Sequence, residues 1–357
     1  MAISTGEIKI PKYLQGRRMR IFSLLGLCIA LILIIGIATS IGSVPIPLGT
    51  TFSILADKLP FVDITPTWAD TTATIVLDVR LPRIILAGLV GAALAIAGAT
   101  YQGLFRNPLA DPYLIGVAQG ASLGAVVGFL LPATWNITSY GLVPVLAFAG
   151  AITATLIVYL LARVGNTLPV TTLILSGVAL SALLSSISSY LIISSGSKMH
   201  GIIFWLMGSF SLSRWSEVGT VLPYIAVGVA IILLFSRMLN VMQLDEEQAQ
   251  QLGVNVERYK LLLLAAATLI TAASVSFVGT IGFVGIIIPH AVRLVWGADH
   301  RYLLPLALLT GAVFMILADL LSRTVLAPAE IPIGVITAIC GAPFFLYILR
   351  RRKKALF

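Results

Sequence analysis

The chain has 357 residues, of which 59% are hydrophobic and 10% charged, with a mean hydropathy of +1.04. A soluble domain carries about a quarter charged residues, so this chain has too little polar surface to cover a globule in water, and a lipid bilayer is its natural solvent. The formal charge of +9 would raise nucleic acid as a partner for a soluble protein; here it fits the excess of Lys and Arg on cytoplasmic loops.

Residues 1–20 form a basic segment, followed by the apolar run 21–42. That run is longer than the core of a cleaved signal peptide and precedes further runs, so it reads as a first span. Apolar runs at 81–104, 113–131, 141–162, 171–193, 218–236, 259–277, 281–296, 302–321 and 331–349 complete ten predicted transmembrane helices in one polytopic domain, 21–349, before a basic tail at 350–357. The segment 202–210 (IIFWLMGSF) is too short to span. It reads as a half-helix or re-entrant piece, which a membrane tolerates only where protein or a water-filled cavity covers it. The expected fold is an all-α polytopic membrane protein of about ten transmembrane helices.

The basic residues orient the chain. With a cytoplasmic N-terminus, most Lys and Arg fall inside, and only Lys58, Arg80, Arg83, Lys198, Arg214 and Arg323 fall outside. That asymmetry predicts both termini on the cytoplasmic side. Arg80, Arg83 and Arg323 lie near outer helix ends, where arginines often snorkel to headgroups.

Small residues recur every four positions at Ala87, Gly91, Ala95, Ala99 and Gly103 on the second span and at Gly116, Gly120, Gly124 and Gly128 on the third. Each set shares one helix face and lets another backbone approach closely, either within one bundle or between subunits.

No phosphate-binding G-x-x-x-x-G-K-[ST] loop, zinc-protease motif or nucleophile elbow occurs, so no catalytic residue is assigned. Cys28 and Cys340 sit in apolar runs without metal-ligand spacing, and neither a metal site nor a disulfide framework is expected. Ionisable residues within the spans are scarce, Asp319 being the clearest, whereas ion-coupled transporters keep buried acidic or His relays. The longest polar cytoplasmic stretch is 240–260. Asp245 can cap a short helix whose first turn holds Glu246 and Glu247, and Gly253 suits its end, which predicts a helix pair at about 245–259 that serves as a docking knob or a solvated connector. Asn107–Pro108 is an ordinary turn signal.

The segments RLPRIILAGLVGAALAIAGATYQGLFRNPLADPYLIGV, AQQLGV, FVGTIGFVGIIIPHAVR and AEIPIGVITAICGAPFF resemble the FecCD-type permeases, the membrane subunits of ABC importers for vitamin B12, ferric siderophores and haem. The resemblance implies ten helices per subunit and a translocation path formed by two copies, or by one copy and a close paralogue. It also implies two ATPase subunits below, a substrate-binding protein above, and a location in a prokaryotic plasma membrane. The chain then needs no cofactor of its own, because ATP-Mg is bound by the ATPase partners. Nucleic acid is not an expected partner.

By the same resemblance, Glu246, Glu247, Ala249, Gln250, Gln251, Leu252, Gly253 and Val254 form the element that couples to the ATPase. Asn107, Pro108, Leu109, Val170 and Thr171 form an inner gate. Ser185, Ser186, Ser188, Ser189 and Tyr190 line the path with the half-helix and the tenth span, although serines equally bond back to their own helix. Arg80, Arg83 and Arg323 match positions that pair with acidic residues on the two lobes of a binding protein, a task suited to bidentate guanidinium groups. The substrate is not legible beyond a large metal chelate, iron chelates being common in the family. The rival readings are an ion-coupled secondary transporter and, more distantly, an intramembrane enzyme.

Overall fold

The computed structural model describes residues 16–42, 44–58, 62, 64–132, 141–244, 248–249 and 255–354. The described chain is helical: α1 Arg17–Ser40, α2 Leu48–Asp57, α3 Asp70–Leu104, α4 Val117–Leu130, α5 Leu142–Ala162, α6 Val170–Ile193, α7 Met199–Leu206, α8 Trp215–Leu234, α9 Ser236–Val241, α10 Val256–Val278, α11 Val284–Trp296, α12 His300–Thr324 and α13 Ile333–Lys354.

Each of the ten predicted runs is helical. Seven of the described helices are long and apolar enough to cross a bilayer, and Val117–Leu130, Val284–Trp296 and Ile333–Leu346 are shorter apolar stretches. The third predicted span is shortened because Gly116, at φ +86°, separates a 3-10 turn at Pro112–Ile115 from α4. The second is longer than expected. α3 starts at Asp70 and passes through a π-helical turn, Ile75–Arg80, before the regular helix. The half-helix is present as α7 and stops at Gly208, whose φ of +79° few other residues adopt.

The glycine stripes explain the packing. A Cβ on Gly91, in the first stripe, would lie 2.2 Å from the Gly311 carbonyl oxygen, and one on Gly98, off that stripe, would lie 2.0 Å from that of Gly285. α3 therefore touches α11 and α12 backbone to backbone, which is how helices gain contact where lipid supplies no hydrophobic drive. The second stripe works the same way: Gly120 faces Gly150, and Gly124 faces the Leu146 carbonyl, with Gly128 near Val143 and Gly116 near Val158. This register makes α4 and α5 antiparallel. Both stripes are used inside this chain.

α3 is the central helix, buried over most of its length. Tyr101 on α3 shares a hydrogen bond of 2.9 Å with Thr268 on α10. α6 is the opposite case: Leu175, Leu183, Tyr190 and Ile193 are all more than half exposed. α13 likewise exposes Ile339 and Leu346. The antiparallel registers define two ends of the bundle. One holds Ser40, Arg83 and Thr324, and the other holds Asn107, Leu168 and His300.

Candidate functional site

At the Arg83 end, three helices and a loop converge on an ion cluster. Arg83 lies one turn past the π-helical turn. Its Nε donates to Asp319 Oδ1 at 3.0 Å and its Nη2 to the same oxygen at 2.8 Å. Its outer edge donates to both Glu330 oxygens, at 2.7 and 3.1 Å. Arg323, one turn along α12 from Asp319, approaches that carboxylate at 3.5 Å. Its other nitrogens donate to the carbonyls of Ile41 at 2.7 Å and Ala38 at 2.5 Å. Arg80 donates to the carbonyls of Thr39, Ser40 and Val44. The two arginines thus satisfy carbonyl oxygens left open where α1 ends.

This arrangement places Arg80, Arg83 and Arg323 inside the bundle end. They were expected as surface groups at helix ends. Instead Arg80 is 5% and Arg323 8% exposed, and each of the three guanidinium groups donates hydrogen bonds inside the chain, although Arg323 Nε is buried without a hydrogen-bond acceptor. A guanidinium at this depth needs hydrogen-bond acceptors, and nearby carbonyls and carboxylates supply most of them in place of lipid headgroups. Glu330 joins the cluster from the loop before α13 and also accepts a hydrogen bond from Ser211. Burial pushes its carboxyl up, but the hydrogen bonds from Arg83 and Ser211 and the charges of Arg83 and Arg323 hold it below the usual range. Three guanidinium groups against two carboxylates leave the cluster cationic.

The half-helix is locked beside this cluster. Ile333 N–H donates to the Gly208 carbonyl and Gly334 N–H to that of Met207, each at 3.0 Å. Ser209 N–H donates to the Val278 carbonyl at 2.9 Å, and the Thr280 hydroxyl to that of Leu206 at 2.6 Å. α7, α10 and α13 thus meet where α7 ends, and the backbone of the short helix is satisfied by protein rather than lipid.

The predicted path residues all lie on α6. Ser186 and Ser189 are exposed, and their hydroxyls donate to the carbonyls of Ala182 and Ser185, each at 2.9 Å. Ser185 is partly exposed, Tyr190 is 71% exposed, and Ser188 faces inward with no hydrogen-bond partner. Back-bonding therefore satisfies two of the serines, yet leaves them on the outward face.

At the other end, Asn107 builds a tight turn: its side chain accepts the Leu109 N–H at 3.0 Å and its carbonyl the Ala110 N–H at 3.1 Å. Pro108 is partly exposed and Leu109 exposed. Val170 begins α6 and packs partly against the core, with Thr171 exposed beside it. Of the expected coupling residues, Ala249 is described and buried, while Glu246, Glu247, Gln250, Gln251, Leu252, Gly253 and Val254 lie outside the described residues. Between α3 and α4, Asp111 accepts the Tyr113 N–H at 2.8 Å, and burial pushes its carboxyl up to about 6 against that hydrogen bond.

Sequence reasoning missed a second network at this end. Asn240 donates to Asp299 at 2.7 Å and accepts the His300 N–H at 2.9 Å, while Gln243 donates to the Gly103 carbonyl at 2.9 Å. The segment leaving α9 is thereby fastened to α3 and α12. An Asp directly before a helix is a capping signal, and Asp299 does accept the Arg301 N–H. The partner Asn240 is 59 positions away and carries no local signal.

The described residues thus form a multi-helix membrane bundle with a locked half-helix and an ion cluster at one end. Residues 29–351 match the FecCD transport family. The chain belongs to that family.

Among its relatives, the cobalamin import system permease protein BtuC of Halobacterium salinarum is 50% identical over 80% of this chain and 75% of that protein. The hemin transport system permease protein HmuU of Yersinia pestis is 41% identical over 78% of this chain and 84% of its own length. A solved structure described as an inward-facing conformation of a metal-chelate type ABC transporter superposes with a TM-score of 0.78 at 34% identity, covering 92% of this chain and 98% of that one.

Proposed function

We propose that this chain is the membrane permease subunit of an ABC importer for a metal chelate, working as a dimer with two separate ATPase subunits and a substrate-binding protein. The observation that carries this reading is the family match across residues 29–351, together with a fold shared over nearly the whole length of a metal-chelate type transporter. The chain performs no covalent chemistry. It turns rearrangements of its partners into opening of a path between two copies, with α6, α7 and α13 facing that path. Both termini are cytoplasmic, so the Arg83 end faces outward and the Asn107 end faces the ATPase.

The binding protein docks at the Arg83 end. Arg80, Arg83 and Arg323 act there through the field of a net cationic cluster, since most of their donors are held internally. The ATPase docks on the segment 245–259, and a Gly253→Val replacement weakens that contact or uncouples hydrolysis from transport. Asn107, Pro108, Leu109, Val170 and Thr171 form the inner constriction.

A relative with 50% identity imports cobalamin and another imports hemin, so these two chelates and a ferric complex are the substrates to try. The test is uptake into liposomes holding this chain and its cognate ATPase, with the binding protein outside. Uptake that requires internal ATP and binding protein supports the reading. Uptake by the chain alone, driven by an ion gradient, favours a secondary transporter.

A further inference from the structure

The first turn of α10 holds a single residue of another segment by both its backbone groups. Leu168 N–H donates to Glu257 Oε2 at 3.0 Å. Lys260 Nζ donates to the Leu168 carbonyl at 3.1 Å and to Glu257 Oε1 at 2.8 Å, which closes the ring. Lys260 is 2% and Leu168 3% exposed. An ammonium at that depth is stable only when paired and hydrogen-bonded, as it is here.

The held segment is stiff. Val164 and Thr167 pair in a tight turn, and the Thr172 hydroxyl donates to the carbonyls of Ala162 at 2.8 Å and Pro169 at 2.9 Å. Residues 162–172 therefore join the end of α5 to the start of α6 as one unit, and Pro169 fixes the entry into α6. The holding helix is anchored too. Asn255 caps α10 by accepting the Arg258 N–H at 3.1 Å, and the Tyr259 ring packs on Phe235 at 5.3 Å. The first turn of α10 is the end of the segment 245–259 that the importer reading assigns to ATPase docking.

We propose that Glu257 and Lys260 are positioning residues that clamp α6 to the first turn of α10, so that displacement of the ATPase-facing segment moves α6 as a lever. The outward face of α6 is open along its middle, where Leu175, Val178 and Leu183 are more than half exposed. Its inner face packs at Gly177 against the Leu114 carbonyl, so α6 moves together with the 3-10 turn Pro112–Ile115 while its base is held by the clamp. This inference rests on the importer reading for its purpose, but the clamp has a readout that does not depend on transport.

The experiment uses the full complex of this chain with its ATPase and binding protein. Cys28 and Cys340 are replaced by Ser, and spin labels are placed at the exposed positions Leu175 on α6 and Leu261 on α10 of chains diluted into an excess of unlabelled chain, so that only the distance within one copy is read. The distance between the labels should be a single narrow distribution, unchanged between nucleotide-free and ATP-bound states. In Lys260→Met and in Glu257→Gln/Lys260→Met it should broaden, and chelate transported per ATP hydrolysed should fall about tenfold while hydrolysis persists. Lys260→Arg should keep the narrow distance and most of the coupling. Glu257→Gln alone retains an acceptor for Leu168 and should assemble normally even if the Lys260 variants do not, with a smaller broadening. A distance that shifts with nucleotide in the parent complex overturns the clamp, as do variants that keep both a narrow distance and full coupling. A parent complex that shows a narrow, invariant distance but no ATP-dependent uptake overturns the importer reading instead.

Discussion

The Arg83 guanidinium lies side-on to the Asp319 carboxylate at 2.8–3.1 Å, although 236 positions separate the two residues. Asp319 is 1% exposed, so the pair ties α3 to α12 at a depth where neither charge is stable alone. Asp319→Leu leaves Arg83 only Glu330, and Arg83→Leu leaves Asp319 only Arg323 at 3.5 Å, so each should cost up to about 3–5 kcal/mol. The double Leu variant should cost much less than the sum. Reversible unfolding in mixed detergent micelles measures all three, and simple additivity would reduce the pair to two unrelated contacts.

Close helix packing makes a second prediction. Gly98→Val or Gly124→Val puts a branched side chain where a Cβ would already stand 2.0 Å from a neighbouring carbonyl oxygen. The helices must separate, with a cost at or above the usual overpacking range of about 1–3 kcal/mol. Gly49→Ala, at a site with no neighbour within 4 Å of the added carbon, should change little. Midpoint temperatures of the purified variants discriminate these outcomes.

A third prediction concerns pH. Burial raises the Asp111 carboxyl from 3.8 to about 6. The folded chain therefore binds more protons than the unfolded chain between those values, and its stability falls as pH rises across that window. Asp111→Asn keeps an acceptor for the Tyr113 N–H but does not titrate. Relative to the Asn variant, the parent should lose stability from pH 4 to pH 6 and show a constant difference above it. A difference independent of pH would show that Asp111 is not titrating in this window.

The fourth prediction addresses docking. Glu330→Gln removes one negative charge from the cluster while leaving Asp319 to hold Arg83. If an acidic binding protein is steered to this end, its association rate should rise about two- to tenfold at low salt, and the rise should vanish at high ionic strength. Stopped-flow association on reconstituted complexes checks it. A rate indifferent to the substitution at every ionic strength would remove the cluster from docking.

Much of the architecture was legible in the chain itself. Ten apolar runs, the short segment 202–210 and the four-residue stripes of small residues are local patterns, and in lipid only helices satisfy their own backbone along such runs. The family resemblance was legible for the same reason, since its motifs are contiguous. What each charged or polar side chain does was decided by tertiary structure. Arg80, Arg83 and Arg323 read as surface groups because a sequence shows that they stand near helix ends but not which carbonyls and carboxylates fold against them. Lys260 read as one more cytoplasmic basic residue, and only the fold brings Leu168, 92 positions away, onto its ammonium group. Apolar spans follow from composition over about 20 neighbouring residues. Pairing of buried charges depends on which helices touch, and that is set by packing of the whole bundle at once.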